Sequence, residues 1–203
     1  NTTGTRNVAV GAYALDANTT SSSNTAIGYN ALTANTAGVL VTGVGAYSLT
    51  ANTTGIRNTA TGYEAMSANT TGSHNSSGGA YSLASNTAGN DNTAFGYYAC
   101  KTVTTGTQNT GIGVSALRAT TASNNNAFGF LALDANTSGA SNCAFGSHAL
   151  QLNTTAANNS AFGHRALDAS TTGASNSAFG SNALGANTTG SRNTAVGQYA
   201  MQA

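Results

Sequence analysis

The chain contains no proline and no tryptophan, and only 5% of its 203 residues are charged, for a formal net charge of +1. Globular domains carry about 25% charged residues, so this is not the composition of a soluble enzyme. The near-neutral balance leaves no basic face broad enough to follow a nucleic acid. No stretch sustains the ~20 apolar residues of a membrane span. No charged segment followed by an apolar core opens the chain as a signal peptide would. Apolar residues make up 39%, much of it alanine, so large core-forming side chains are scarce.

What the sequence has instead is repetition, which must be recognised before any local structure is assigned. Aligning on Asn-Thr-Ala-(Ile/Phe/Val)-Gly places anchors at Gly11, Gly28, Gly45, Gly62, Gly79, Gly96, Gly113, Gly129, Gly146, Gly163, Gly180 and Gly197. Every interval is 17 residues except Gly113 to Gly129, which is 16. Residues 1–203 therefore form a single array of twelve repeats without caps or linkers. With the anchor as position 0, the consensus is Asn(−4), Thr(−3), Ala(−2), large apolar(−1), Gly(0), two variable residues, Ala(+3), Leu(+4), polar(+5), Ala(+6), Asn(+7), Thr(+8), Thr(+9), Gly(+10) and two variable residues. Seventeen residues are too few for a helix pair. Their Thr, Asn and Gly content disfavours helix, and the glycine-punctuated, β-rich text fits one coil of a parallel β-solenoid.

Period-two alternation then assigns faces. All eleven charged residues fall at +2, +5 and +12, which predicts that these columns face water. Leu or Met occupies +4 in eleven repeats, Cys100 being the exception. Large apolar residues at −1 run from Val10 and Ile27 to Phe179 and Val196, interrupted by Thr61 and Gly78. These two columns are expected to form the inner ladders. Position −2 holds only Ala, Gly or Ser, and +3 only Ala or Ser. Both columns are expected to point away from the large residues. They then suit either another chain packed closely against them or sharp corners within one coil. Glycine at 0 in every repeat and at +10 in nine marks positive φ or close approach of successive backbones. Asn at −4 and +7 suits hydrogen-bonded amide ladders along the rod.

The quoted motifs, Asn24-Thr25-Ala26-Ile27-Gly28 and Asn193-Thr194-Ala195-Val196-Gly197 among them, resemble the head repeats of YadA-like trimeric autotransporter adhesins. They are also similar to the arrays of phage tail fibres. The resemblance spans all twelve repeats, although each is a few residues longer than the adhesin unit. It implies a left-handed parallel β-roll, a homotrimer, and a non-catalytic fibre that binds surfaces outside the cell or on a virion. Its partners would be further copies of itself and a cell-surface glycan or protein receptor.

Specific chemistry is sparse. Cys100 and Cys143 lie three coils, about 14 Å, apart, too far for a disulfide. His148 and His164 sit in adjacent repeats without carboxylates, a poor metal site, and no cofactor or catalytic group is indicated. The tyrosines occupy +1 or +2 beside a variable loop, where Tyr29, Tyr63 and Tyr97 either stack on sugar rings or simply cover the coil edge. Threonine fills +8 in all twelve repeats and +9 in eight: Thr3, Thr20, Thr54, Thr71, Thr105, Thr155, Thr172 and Thr189. Alternation turns +8 inward and leaves +9 as a single outward rank, which resembles the faces of ice-binding solenoids in general terms. Glycosylation sequons fall at Asn1, Asn18, Asn52, Asn69, Asn153 and Asn187. The C-terminus ends in phase with the N-terminus, predicting either a segment of a longer fibre or copies joined head to tail into an extracellular filament.

Overall fold

The computed structural model describes residues 1–202. Twelve three-residue strands, β1 (Val8–Val10) to β12 (Thr194–Val196), stack in sequence order as one parallel sheet. Each step is one repeat: Thr25, Ala26 and Ile27 pair with Thr42, Gly43 and Val44. The exception is the pairing of β7 (Thr110–Ile112) with β8 (Asn126–Phe128), a step of 16 residues. The chain is thus the all-β parallel solenoid that the period predicts, with no helix among the described residues. Among the described residues no helix is long and apolar enough to cross a membrane.

Strands make up only a small part of each coil, yet the ladder continues around it. Leu32 N–H donates to Ser48 O and Ala34 N–H to Thr50 O in the coil above, while Asn30 N–H donates to Ala12 O in the coil below. These bonds need a backbone that keeps turning. In every coil the non-glycine residues at +2, +4 and +12 have φ near +50 to +60°, as at Tyr47 (59°), Leu49 (50°) and Arg57 (53°). Such residues are uncommon singly. Here each is held by inter-coil hydrogen bonds repeated along the rod.

The interior departs from the sequence expectation in one respect. Leu at +4 is buried as expected, fully so from Leu32 to Leu167. The residues beside it, however, are the small ones: Ala26, Ala60 and Ala94 at −2 and Ala31, Ala65 and Ala99 at +3 are also fully buried. The large residues at −1 face outward, Phe95 being 48% and Ile27 40% exposed. Alternation fails between +3 and +4 because +4 is left-handed, which turns two consecutive side chains into the same interior. That interior has room for one leucine and two methyl groups, not for phenylalanine. The small columns therefore give no support to a packed second chain. Within them the sizes compensate: Ser48 stands opposite Gly43, where an added Cβ would lie 3.0 Å from its Oγ.

Two asparagine columns complete the coil. At +7, Asn69 Nδ2 donates to Asn52 Oδ1 (2.7 Å) and Asn86 Nδ2 to Asn69 Oδ1 (2.8 Å). At −4, Oδ1 typically receives the backbone N–H of the next coil, as from Asn92 to Asn75 (2.9 Å), and Nδ2 reaches a +10 carbonyl, except at Asn125, which donates to Ser123 O. Glycine at +10 is explained by close approach: a Cβ at Gly55 would lie 2.3 Å from Gly72 O and 2.6 Å from Asn52 Oδ1. In the shortened repeat Ala122 O takes over that carbonyl's role, accepting from Asn109 Nδ2 at 2.8 Å. The residue dropped is the one at +9. Across the same junction Arg118 grips Asp134 through two bonds of 2.7 and 3.1 Å, leaving Asp134 buried although its column otherwise faces water.

Candidate functional site

Because the interior is filled, any interaction must use the outside, and three surfaces follow from the coil geometry. The first is the outer face of the sheet, carrying the residues at −3 and −1. At −1, Phe128, Phe145, Phe162 and Phe179 stack ring on ring, with centroids 4.3–5.1 Å apart and planes within 6–11°. Phe95 lies across Gly78, where a Cβ would sit 2.5 Å from its ring. None of the eleven charged residues belongs to this face. Sequence reasoning missed it by placing −1 inside, although one signal was present: −1 ranges from glycine to phenylalanine, whereas −2 never exceeds serine. A close-packed interior tolerates one size; an outer column tolerates many.

The second surface is the threonine corner. Thr3, Thr20, Thr54, Thr71, Thr105, Thr155, Thr172 and Thr189 are all exposed, as the sequence predicts for +9. The +8 rank is not inward: Thr53, Thr70 and Thr154 are half-buried and Thr36 and Thr137 exposed. The backbone bends there instead of alternating. Most +8 hydroxyls donate to the +8 carbonyl of the next coil, as Thr70 does to Thr87 O at 3.0 Å.

The third surface is an aromatic ridge at +1 and +2. Tyrosine alternates between the two positions in successive coils, so Tyr13, Tyr29, Tyr47, Tyr63, Tyr81 and Tyr97 form an edge-to-face chain with centroids 5.3–6.2 Å apart. Tyr98 continues beside Tyr97, and Lys101 Nζ lies 4.2 Å from the Tyr98 ring. Tyr29, Tyr63 and Tyr97 are exposed at 44–45% and Tyr13, in the first coil, at 59%, while Tyr47 and Tyr81 are half-buried. The adjacent Glu64 carboxylate, an acceptor that favours the protonated phenol, pushes Tyr63 up to about 12. Further along, Phe130, His148 and His164 repeat the edge-to-face arrangement at 5.3 and 6.1 Å.

The remaining sequence candidates disperse. The two histidines touch edge to face but gather no carboxylate, and no metal-binding group of three ligands occurs among the described residues. Cys100 and Cys143 are both free thiols. Burial pushes the Cys100 thiol up to about 12 and raises that of Cys143 as well. Of the sequon asparagines, Asn18, Asn52, Asn69 and Asn153 lie inside the coil. The Nδ2 that would carry a glycan is there occupied, as in Asn52 to Asn35 Oδ1 (2.9 Å) and Gly55 O (3.1 Å). Asn187 is half-buried and Asn1 exposed.

No family model, curated protein or solved structure matches the chain. Its surfaces therefore have to be interpreted from their own chemistry.

Proposed function

We propose that the chain is a rigid, non-enzymatic structural and adhesive module of an extracellular, cell-surface or virion fibre, and that three copies associate through the outer sheet face. The observation that carries this reading is the exposed −1 ladder. Eleven steps of ~4.8 Å and strands of about 10 Å give an uncharged strip of roughly 500 Å², of which the −1 half is apolar except at Thr61 and the −3 half mostly threonine and serine. The largest apolar patch on an ordinary monomer is about 300–600 Å² and is itself often functional. Three copies around a common axis would turn all three strips inward, each against two neighbours. A trimer is also what the resemblance to adhesin head repeats implies. The outward loops would then present one contact per coil to a receptor, and weak contacts add along a rigid rod.

Sedimentation equilibrium or light scattering of the folded chain tests this directly. A trimer that dissociates when Phe145 and Phe162 are replaced together by glutamate is expected. A wild-type chain that stays monomeric at micromolar concentration overturns the association.

A second reading, ice binding, draws support from the fully exposed +9 rank and from the +8 hydroxyls beside it. Thermal hysteresis that is lost on Thr54→Lys with Thr71→Lys would favour it over the fibre.

A further inference from the structure

The aromatic ridge holds a regularity that the fibre reading does not use. In five consecutive coils one tyrosine alternates strictly between +2 and +1, and neighbouring rings are turned by 77–84° along the chain from Tyr13 to Tyr81. Rings repeated in one column would stack in parallel, as the −1 phenylalanines do, and each face would be covered by the next. Alternation prevents that. Away from the first coil, where Tyr13 has no coil before it and is 59% exposed, Tyr29, Tyr63 and Tyr97 become a sparse, evenly spaced set, 34 residues and two coils apart, exposed to nearly the same extent at 45%, 44% and 45%.

Two coils at ~4.8 Å give a spacing of about 9.6 Å, close to one disaccharide unit of an extended β-1,4-linked hexopyranose chain. Such a chain has a two-fold screw, so alternate sugars offer the same face at that spacing. Amphipathic tyrosine rings suit this ligand, with an apolar body for the sugar's C–H face and a polar tip for water or hydroxyls. Between the exposed rings the +2 positions hold Asn30 and Glu64, side chains that can bond sugar hydroxyls. No cation stands at +1 or +2 in this stretch, and Lys101, reaching in from +5, already lies over Tyr98. A neutral polymer is therefore favoured over an acidic one.

We propose that Tyr29, Tyr63 and Tyr97 form a linear binding platform for a neutral, extended β-1,4-linked polysaccharide lying along the rod. The platform lies outside the sheet face and does not depend on how copies associate.

Depletion from solution by microcrystalline cellulose and by chitin tests the platform, with granular amylose, whose α-linkages coil the chain, as the control. The wild-type chain should bind at least one β-1,4 polymer and ignore amylose. Tyr63→Ala should weaken binding at least tenfold, because it removes the central ring and splits the platform. Tyr63→Phe should stay within about threefold. Tyr199→Ala, remote from the platform, should change nothing. Circular dichroism and the elution volume of each variant establish that the rod is intact. Binding to neither β-linked polymer, equal binding to amylose, or undiminished binding by an intact Tyr29→Ala, Tyr63→Ala, Tyr97→Ala variant overturns the proposal.

Discussion

Replacing Ser170 by asparagine should stabilise the protein, and the reason can be followed atom by atom. In the +7 column, Asn153 Nδ2 donates to Asn136 Oδ1 at 2.9 Å and to Ala156 O at 3.1 Å. The next residue up is Ser170, whose short side chain reaches only Gly173 O, at 3.4 Å. Asn153 Oδ1 is consequently buried with no hydrogen-bond partner. Beyond the gap, Asn187 Nδ2 bonds Gly190 O at 2.9 Å and meets Ser170 in place of an amide in the coil before it. Asparagine at 170 would donate to Asn153 and accept from Asn187, making the ladder continuous from 136 to 187. Leaving a buried acceptor unpaired costs about 1–3 kcal/mol, and Ser170→Asn should recover most of that. In a chain of this length each kcal/mol shifts Tm by about 2–4 °C.

A repeat array need not unfold in one step, so calorimetry should be joined by amide exchange. Protection should rise in coils 9 to 11 and remain unchanged near coils 2 to 4. Ser170→Val is the control that separates hydrogen bonding from simple filling of space. Valine already occupies this column at Val103, where Asn86 Oδ1 is likewise left without a partner. If valine at 170 stabilises as much as asparagine, or if asparagine lowers Tm, the amide-ladder reasoning is refuted.

Three further outcomes follow from the same geometry. Leu150→Ala should cost about 2–5 kcal/mol as a core truncation, whereas Phe145→Ala, on the outer face, should cost far less in dilute denaturant titrations; equal losses would restore −1 to the interior. Gly62→Ala should cost more than about 1 kcal/mol, since its φ is +139° and a Cβ would lie 2.6 Å from the Gly79 carbonyl. Gly185→Ala, at +5 and without positive φ, should change stability by less than about 0.5 kcal/mol, the usual range for surface sites. The Cys100 thiol, pushed up to about 12 by burial from a usual value of 9.0, loses its proton in the unfolded chain first. Its contribution to stability is therefore complete below pH 9 and falls away between pH 9 and about 12, by up to about 4 kcal/mol at 1.36 kcal/mol per unit. Cys100→Leu should remove that part of the alkaline loss, which urea titrations at pH 8 and pH 11 will show.

The coil was legible in the sequence because its length is written there repeatedly. A 17-residue interval in anchors, asparagines and charges leaves little freedom for anything but stacked rungs, and the one interval of 16 reappears as the register step between β7 and β8. Which side of the coil each residue occupies was legible only in part. The expectation that Leu at +4 and Phe at −1 share the interior rests on size and on strict alternation. Alternation holds within a three-residue strand such as Cys143–Phe145 and stops where φ turns positive. At +4, leucine in the left-handed region is not something its own chemistry announces. Hydrogen bonds from neighbouring coils hold it there, so the sequence of a single repeat does not contain the reason. The alternating tyrosines were visible as letters, but their spacing acquires meaning only once coils are known to stack in register.

The division between inside and outside also explains why this rod can vary so unevenly. Columns −2, +3 and +10 are limited by contact: at Gly72 even a methyl group would lie 2.5 Å from Gly89 O. Columns −1, +1, +2 and +12 meet no backbone wall, at most a neighbouring side chain such as Phe95 across Gly78, and they hold the phenylalanines, tyrosines, histidines and most of the charges. A substitution there changes what the rod touches without changing how it coils. At +12, for example, Arg57 Nη1 lies 3.3 Å from His74 Nε2, and His74 Nδ1 lies 3.9 Å from Asp91, three different side chains on three identical turns. The scaffold thus separates folding from recognition by column rather than by domain. Graded changes in binding at constant stability are the expected signature of mutations in the outer columns. The reverse is expected in the inner ones, where a change large enough to be felt disrupts the coil itself.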